Sequence, residues 1–564
     1  MQQRLVECVP NISEGRRNEV IEAVSAVVNQ VEGVKLLDVD PGKSTNRTVI
    51  TFVGPPETIG EAAFQLIKKA AELIDMRQHR GEHPRMGATD VCPFVPVSGV
   101  SMEECVDIAR ALAKRVGDEL GIPGYLYEAA ALTEERQNLA TCRKGQYEGL
   151  AKLETPLGKP DFGPASWNEQ TQRSGATAIG ARDFLIAYNI NLNTTSSRRA
   201  NAIAFDIRES GRVKREGGPG SPILKDANGE PLRQAGSLKA VKGIGWYIEE
   251  YGIAQLSLNL TNIKTTPVHI AFDEACARAH DRGIRVTGSE LVGLLPLRVL
   301  TEAADYFLKK QERSLGISDA EKVKIAVKSL GLDDLAPFDP SKRVIEYVIA
   351  DANNSPLLDM TLLAFAEETA SESPAPGGGS VAAYASTMGV ALATMVANLS
   401  AHKRGWDERW AAFSKVAERG VQLQVQLAAL VDADTAAFNQ IMEAYGLPKA
   451  TEDQKKVRHQ AIQDATRHAI EIPMQVARLS MQAMEVASEM ASIGNPNSIT
   501  DAGVGAMAIR TGVKGAILNA RVNLADLEDV DFAKRVRIEC QELCSACDAA
   551  EAAVIARVDE VLGS

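Results

Sequence analysis

The alternation of apolar and polar positions divides the chain before residue 350 into short strands and amphipathic helices. Runs such as RTVITFVG and TDVCPFVPVSG predict strands, because they are rich in Val, Thr and Phe. ETIGEAAFQLIKKAAELI carries its apolar residues at helical spacing. The predicted order is β-α-β-β-α-β-α, and it recurs from residue 184 to residue 310. We therefore predict two α/β sandwich subdomains of ferredoxin-like layout, each with helices on one face of its sheet.

The pattern changes near residue 350, where the strand signals end. Long amphipathic helices follow, with Pro and Gly confined to junctions such as SPAPGGGS and IGNPNS. This pattern predicts an all-α helical bundle. The predicted domains are residues 1–182 and 183–349 for the two subdomains, 350–357 for a linker and 358–564 for the bundle.

Two α/β subdomains side by side leave a cleft, and binding sites favour such clefts. Residues 209–237 interrupt the second subdomain with a stretch rich in Gly, Pro and charge. We interpret this stretch as a tolerated insertion, with a lid over a site as the alternative.

Composition and charge narrow the class of protein. The net charge of −12 argues against nucleic acid or an anionic membrane as the main partner, although a local basic pocket is compatible with an anionic substrate. Residues 380–400 form the most apolar run but are rich in Ala, Gly, Ser and Thr, which favours a close-packed helix over a membrane span. Eight cysteines do not make a disulfide framework, and the N-terminus has no secretory pattern, so we expect a cytoplasmic protein with reduced thiols.

His83 is the first candidate for chemistry. It lies in GEHPRMG, ahead of a predicted strand, and the flanking Gly and Pro restrict its loop. An imidazole that is held rigidly suits general base catalysis near neutral pH. Asp40 ends the predicted strand LLDVD, where a carboxylate could orient a site residue. The alternative for His83, and more so for His79, is a solvent-exposed loop histidine.

Two glycine-rich segments could hold a ligand. Residues 161–182 contain Trp167 among Gly, Ser and Thr; the composition favours a plain connector, and a clasp for a pterin-like ring is the alternative. Gly377, Gly378 and Gly379 precede a helix that begins near Ser380. The free N–H groups at such a helix start can bind an anion, while a hinge with an N-cap is the structural alternative.

Asp434 interrupts an apolar stripe in the helical half. The stripe runs through Leu423, Leu427, Val431, Phe438 and Met442. Asp432 points about 200° away from Asp434 around the helix. Burial raises the pKa of a carboxyl, so Asp434 can act as an acid near neutral pH. The alternative is a hydrogen bond from Asp434 to a neighbouring helix.

Several strings in the chain resemble a known enzyme family. VECVPNISEG, RQHRGEHPRMGATDVCPF and SELVGLLPL look like formimidoyltransferase domains, and PAPGGGSVAA and LVDADTAAF look like cyclodeaminase domains. Their order resembles the bifunctional formimidoyltransferase-cyclodeaminases over nearly the whole chain.

The resemblance implies two folate reactions of histidine breakdown. The first moves a formimidoyl group from N-formimidoyl-L-glutamate to N5 of tetrahydrofolate. The second cyclises 5-formimidoyl-tetrahydrofolate to 5,10-methenyl-tetrahydrofolate and releases ammonia. Tetrahydrofolate, in polyglutamylated form, is then a co-substrate, and no metal or redox cofactor is implied. The family also forms homo-oligomers.

The resemblance assigns residue roles as well. His83 is the acid/base of the transferase, Asp40 lies near it, and Asp434 is the proton donor of the cyclodeaminase. The folate-binding connector of the family falls on residues 163–175 of this chain, where the segment is slightly longer than in mammalian members. The resemblance therefore implies the location of the folate-binding segment and not its individual contacts. The implied folate-binding residues are Gly163, Pro164, Ala165, Ser166, Trp167, Asn168, Glu169, Gln170, Thr171, Gln172, Arg173, Ser174 and Gly175.

Narrower functions stay open at this point. The helical half also resembles stand-alone methenyltetrahydrofolate cyclohydrolases, so one half alone could be active. A folate-binding scaffold without turnover is a further alternative, and retention of His83 and Asp434 speaks against it.

Overall fold

The computed structural model describes residues 4–43, 45–81, 85–152, 159–218, 220–227, 229–349, 355–373 and 375–563. The chain forms two compact units. The first contains Met1–Val299 together with Leu330–Ile349, and the second contains Leu300–Ser329 together with Ala350–Ser564.

The first sheet has seven strands, which lie in the order β3-β4-(β1, β2)-β5-β7-β6, with β1 and β2 in line between β4 and β5. β7 runs parallel to β5 and β6, and the other pairs are antiparallel. The strands are β1 Leu5–Cys8, β2 Asn11–Ile12, β3 Lys35–Gly42, β4 Arg47–Gly54, β5 Thr89–Ser98, β6 Gly124–Glu128 and β7 Thr177–Ala181. The helices of this part are α1 Asn18–Ala26, α2 Ile59–Leu73, α3 Met102–Leu120, α4 Leu139–Cys142, α5 Gln146–Gly149 and α6 Glu169–Ser174.

The second sheet has the order β11-β12-β8-β13 and is antiparallel throughout. This is the predicted ferredoxin-like layout. The strands are β8 Ile186–Leu192, β9 Arg212–Val213, β10 Arg233–Gln234, β11 Val241–Ile248, β12 Ile253–Leu260 and β13 Val286–Val292, and the helices are α7 Ser197–Ile207 and α8 Val268–His280. The two-residue strands β9 and β10 pair with each other inside the predicted insertion at residues 209–237.

The predicted element order of the first subdomain was incomplete, because β6 and β7 were missing from it. The supposed connector at residues 161–182 holds α6 and β7. The strand TAIGA is buried at every position, so it shows no alternation, and its Ala and Gly content is typical of a loop.

Helices cover one face of the first sheet. Val6, Cys8, Ile50, Phe52 and Phe94 point to that face and join the helices in one hydrophobic core. Ser101 caps α3 in a reciprocal capping box with Glu104, and Gly121 ends it in the left-handed conformation. Alternate residues of the same strands, including Glu7, Asn11 and Asp40, therefore lie on the opposite face.

The second unit is built on five long helices that enclose one core. The remaining helices of the chain are α9 Leu297–Lys310, α10 Asp319–Leu330, α11 Pro340–Arg343, α12 Ile345–Ile349, α13 Leu362–Thr369, α14 Gly378–Ala401, α15 Trp410–Gly446, α16 Glu452–Ile493, α17 Ile499–Asn523 and α18 Val530–Leu562. α14 is long and apolar enough to cross a bilayer, but most of its residues are buried in the bundle. Its small residues allow close approach: a Cβ on Gly389 would lie 2.6 Å from the Gly505 carbonyl oxygen.

The predicted domain boundaries stay a prediction. The compact units place Leu300–Ser329, which we assigned to the second subdomain, with the helical bundle. The backbone N–H of Leu315 donates to Ser414 Oγ at 3.0 Å, and Asn398 Nδ2 donates to the Gly316 carbonyl at 2.8 Å.

Candidate active sites

Asp40 lies on the face of the first sheet opposite α1, α2 and α3. We call it the free face, although the short helices α4 and α5 pack on it near Val91 and Tyr125. It is exposed on β3, opposite Val49 of β4, and Asn11 of β2 pairs with the other side of Val49. Asp40 and Asn11 are thus in one row across the sheet, about 10 Å apart at two strand spacings.

His83 lies outside the described residues, as do Glu82 and Pro84. The chain on either side of them is firmly held. A Cβ on Gly81 would lie 2.2 Å from the Thr45 carbonyl oxygen, so Gly81 passes directly over the turn between β3 and β4. Asn46 in that turn donates from Nδ2 to the Arg80 carbonyl at 2.9 Å.

On the other side, Arg85 makes a bidentate ion pair with Glu148, with N···O distances of 2.9 and 2.8 Å. Arg85 is buried although its partner is largely exposed. This geometry fixes where the chain leaves the His83 segment.

His79 has a structural role. It is buried, its Nε2 lies 2.9 Å from the Asn46 carbonyl oxygen, and Arg85 Nε donates to its Nδ1 at 3.3 Å. Burial lowers its pKa, with a contribution from Arg85, which favours the neutral ring whose Nδ1 accepts from Arg85. The interpretation of His79 as a solvent-exposed loop histidine is therefore wrong, because its side chain is buried.

The predicted folate-binding segment, Gly163–Gly175, is partly committed to the fold. Asn168 caps α6 and exchanges hydrogen bonds with Thr171. Gln170 Nε2 donates to the Leu120 carbonyl at 2.8 Å and Arg173 Nη2 to the Glu72 carbonyl at 2.7 Å. These side chains serve the fold, so the assignment of the whole segment to folate binding stays a prediction.

Trp167 is the aromatic residue in this segment. Its ring packs edge-on to Tyr147 with 5.6 Å between ring centroids, and the Tyr147 hydroxyl donates to the Gln172 carbonyl at 2.6 Å. Both rings join a small cluster with Val91 and Tyr125 on the free face of the sheet. The segment and Asp40 thus belong to the same face.

In the second unit, Asp434 lies against the first turn of α14. A Cβ on Gly379 would lie 2.1 Å from Asp434 Oδ1, so only glycine leaves room for this carboxyl. Ser380 Oγ donates to the Val431 carbonyl at 2.8 Å and lies 3.3 Å from Asp434 Oδ2. The predicted anion site at Gly377–Gly379 therefore receives a carboxyl of the chain itself, and ligand binding by these glycines stays a prediction.

Burial raises the pKa of Asp434, and hydrogen bonds from the side chain and backbone of Ser380 oppose the rise. The net direction is upward, which keeps a proton on this carboxyl to higher pH than on an ordinary aspartate. This is the property that an acid catalyst needs near neutrality.

The apolar stripe that singled out Asp434 is shorter than predicted. Leu423, Leu427 and Val431 are buried, but Phe438 and Met442 are exposed. The buried side of α15 continues instead through Ala437, Ile441 and Ala444, at spacings of four and three residues. Asp432 accepts a hydrogen bond from the Leu357 N–H at 2.9 Å, away from Asp434.

Asn519 of α17 is a site residue that the sequence did not reveal. A Cβ on Gly378 would lie 3.1 Å from Asn519 Nδ2, so this amide stands beside the start of α14. Nothing in the local sequence of α17 marks it, because the α14–α17 contact alone brings it there.

Family models match three parts of the chain. The N-terminal subdomain of the formiminotransferase domain matches residues 5–182, the formiminotransferase domain matches residues 187–350, and the formiminotransferase-cyclodeaminase model matches residues 361–542. The formimidoyltransferase-cyclodeaminase of Mus musculus is 43% identical over 558 residues, 99% of each chain. The chain belongs to the formimidoyltransferase-cyclodeaminase family.

Two further relatives correspond to the separate halves. The glutamate formimidoyltransferase of Streptococcus pyogenes is 42% identical over 55% of this chain and 95% of its own length. The methenyltetrahydrofolate cyclohydrolase of Methylorubrum extorquens is 36% identical over 34% of this chain and 91% of its own length. Full-length similarity to bifunctional relatives makes this chain a bifunctional enzyme, with glutamate formimidoyltransferase and formimidoyltetrahydrofolate cyclodeaminase activities, and gives no support to a single active half.

Tetrahydrofolate is the co-substrate that this family implies. Within the described ranges, no three His, Cys, Asp or Glu side chains are grouped to hold a metal ion.

Proposed function

We propose that the two reactions occur at two separate sites of this chain, the first served by His83 and Asp40 and the second by Asp434. In the transfer, N5 of tetrahydrofolate attacks the formimidoyl carbon, His83 takes the N5 proton, and the amino group of glutamate leaves with a proton. The assignment of His83 rests on the GEHPRMG motif, and the fixed positions of Gly81 and Arg85 on either side support it.

In the second reaction, N10 attacks the formimidoyl carbon of 5-formimidoyl-tetrahydrofolate and gives a tetrahedral centre that carries an amino group. Asp434 protonates that amino group, the C–N bond breaks, and ammonia leaves with formation of 5,10-methenyl-tetrahydrofolate. The contact between Asp434 and Gly379 carries this proposal, since it holds a carboxyl of raised pKa at a helix start.

Single substitutions test the assignment. We expect His83→Ala to abolish release of glutamate from formimidoylglutamate while the variant still cyclises supplied 5-formimidoyl-tetrahydrofolate, and Asp434→Ala to do the reverse. Glutamate and ammonia are measured separately. Loss of both activities in either folded variant would contradict the two-site assignment.

We also propose that the protein is a homo-oligomer. Val381, Met388 and Met395 repeat at seven-residue spacing on α14 and are exposed, as are Leu518 and Val522 on α17. Apolar stripes of this size are typical of surfaces that a second copy covers. Sedimentation velocity tests the proposal, and charged substitutions at Met388 and Met395 should give a smaller species.

Two finer proposals complete the function. Polyglutamylated tetrahydrofolate is the physiological co-substrate, which a comparison of KM for mono- and pentaglutamate forms tests. The protein is cytoplasmic, which agrees with its eight free cysteines, and cell fractionation tests this location.

A further inference from the structure

Glu7 is a buried carboxyl on the free face of the first sheet. It lies in β1 at the centre of the sheet, opposite Val53 of β4 and Val95 of β5. Its neighbours Val6 and Cys8 point into the helix-covered core, so Glu7 points the other way. Its relative exposure is 5%.

Glu7 has no hydrogen bond or ion pair with any described residue. Burial raises its pKa to about 7, and the positive charge of Arg182 offsets only part of that rise. Glu14 shows that this fold can satisfy a buried carboxyl. Glu14 is 4% exposed, and its Oε1 accepts from the backbone N–H groups of Arg16 at 2.9 Å and Arg17 at 3.0 Å. The lack of donors to Glu7 among the described residues is therefore a property of its site and not of burial in general.

Asn11 gives independent evidence that this face needs donors from outside the chain. Asn11 is 6% exposed and lies on the same face, in the row that includes Asp40. Its Nδ2 donates to the Val9 carbonyl at 3.0 Å, which fixes the orientation of the amide. Oδ1 is then an acceptor, and it is buried without a partner in the part of the chain that the structure describes.

The Glu7 carboxyl, in a buried side chain, and the buried Asn11 Oδ1 both lack a donor among the described residues, which is costly for the folded protein unless a ligand supplies one. Both substrates of the transferase half carry donors of this kind. The 2-amino-4-oxo edge of the pterin ring presents two adjacent N–H groups, and the formimidoyl group is an amidine that is cationic when protonated and presents N–H groups on both nitrogens. A carboxylate accepts such a planar pair with two parallel hydrogen bonds.

We propose that Glu7 is a substrate-binding residue of the transferase half, whose carboxylate accepts a planar pair of N–H donors from a substrate. Asn11 Oδ1 accepts a further N–H on the same face. This inference rests on the transferase activity of the chain and extends it to a residue on a strand that carries neither His83 nor Asp40.

Glu7→Gln tests the proposal, because the amide has nearly the same shape but turns an N–H toward the donor pair. KM for each substrate is measured by glutamate release from formimidoylglutamate and tetrahydrofolate. We expect one KM to rise about 10- to 100-fold, the cost of a lost charge-assisted pair of hydrogen bonds. A rise for tetrahydrofolate identifies the pterin edge as the donor, and a rise for formimidoylglutamate identifies the amidine.

Thr51→Val is the matched control. Thr51 is buried on the same face, opposite Asp38, and the substitution removes a hydroxyl without a change of shape. We expect both KM values of this variant to stay within about twofold of wild type. Cyclodeamination by the same preparations serves as the internal control for a folded chain.

Unchanged KM values in Glu7→Gln, or an equal loss of transfer and cyclodeamination, would overturn the proposal. An inactive wild-type chain would instead contradict the transferase function itself. The outcome for Glu7 is thus separable from that for the enzyme as a whole.

Discussion

Glu7 allows a stability prediction with an unusual sign: removal of its charge should stabilise the protein. The pKa of Glu7 is raised from 4.5 to about 7 by burial, with Arg182 acting in the opposite direction. A group whose pKa is raised on folding binds protons more tightly in the folded state, so stability falls as pH rises between these two values. Each pKa unit is worth about 1.4 kcal/mol, so ionised Glu7 costs about 3 kcal/mol above pH 7.

The neighbouring Cys8 thiol does not interfere, because burial holds its pKa well above its ordinary value, with Cys92 contributing through a hydrogen bond. Other titrating groups are the same in wild type and in Glu7→Gln, so their contributions cancel in the difference between the two proteins. The pH dependence of the difference between wild type and Glu7→Gln therefore reports Glu7 itself.

Differential scanning calorimetry of both proteins at pH 5 and pH 8 measures the effect. We expect Glu7→Gln to unfold at a temperature on the order of 5 °C higher at pH 8, and the difference to shrink strongly at pH 5, where the wild-type carboxyl is protonated in the folded state. Glu14→Gln is the opposite control, because hydrogen bonds from Arg16 and Arg17 overcome burial and lower the Glu14 pKa. That variant should be less stable than wild type at pH 8. A Glu7→Gln protein that is less stable at both pH values would refute the reasoning, since it would show that Glu7 has a stabilising partner.

Three further predictions concern the two sites. Gly379→Ala should lower cyclodeamination at least about 100-fold and spare transfer, because its Cβ would lie 2.1 Å from the Asp434 carboxyl. Gly446→Ala is the control, since a Cβ at Gly446 meets no described atom within 4 Å. Equal cyclodeaminase activity of the two variants would contradict the contact between Gly379 and Asp434. Ser380→Ala should move the alkaline limb of the cyclodeaminase pH–rate profile to higher pH, because it removes a hydrogen bond that lowers the raised pKa of Asp434; a shift to lower pH would show that Asp434 is not the acid. Arg85→Met should lower kcat/KM of transfer more than about tenfold with cyclodeamination unchanged, since the bidentate pair with Glu148 fixes the chain after residue 84. Retained transfer in this variant would show that the ion pair does not position the transferase site.

The sequence by itself determined the fold class and the family. The β-α-β-β-α-β-α order was readable twice because the strands are rich in β-branched and aromatic residues and their helices carry caps, as Ser101 and Gly121 do for α3. The second sheet follows the predicted order completely. Asp434 was found as a carboxyl at an apolar position, a local signal that does not depend on which helix lies opposite.

Only the tertiary structure decided what each candidate contacts. β6 and β7 escaped prediction because each is only five residues long and the sequence of β7 is rich in Ala and Gly; β5 is buried at nearly every position too, but its longer run contains Val and Phe. Phe438 and Met442 look like core residues in sequence, but the tertiary structure buries Ala437, Ile441 and Ala444 on the adjacent side of α15. Glu7 was visible as a charge in the apolar run LVEC, yet the sequence does not tell a satisfied carboxyl from an unsatisfied one. That difference depends on the backbone conformation. The chain turns after Glu14, so the N–H groups of Arg16 and Arg17 reach its carboxyl, whereas Glu7 lies in an extended strand and accepts no hydrogen bond from a described residue.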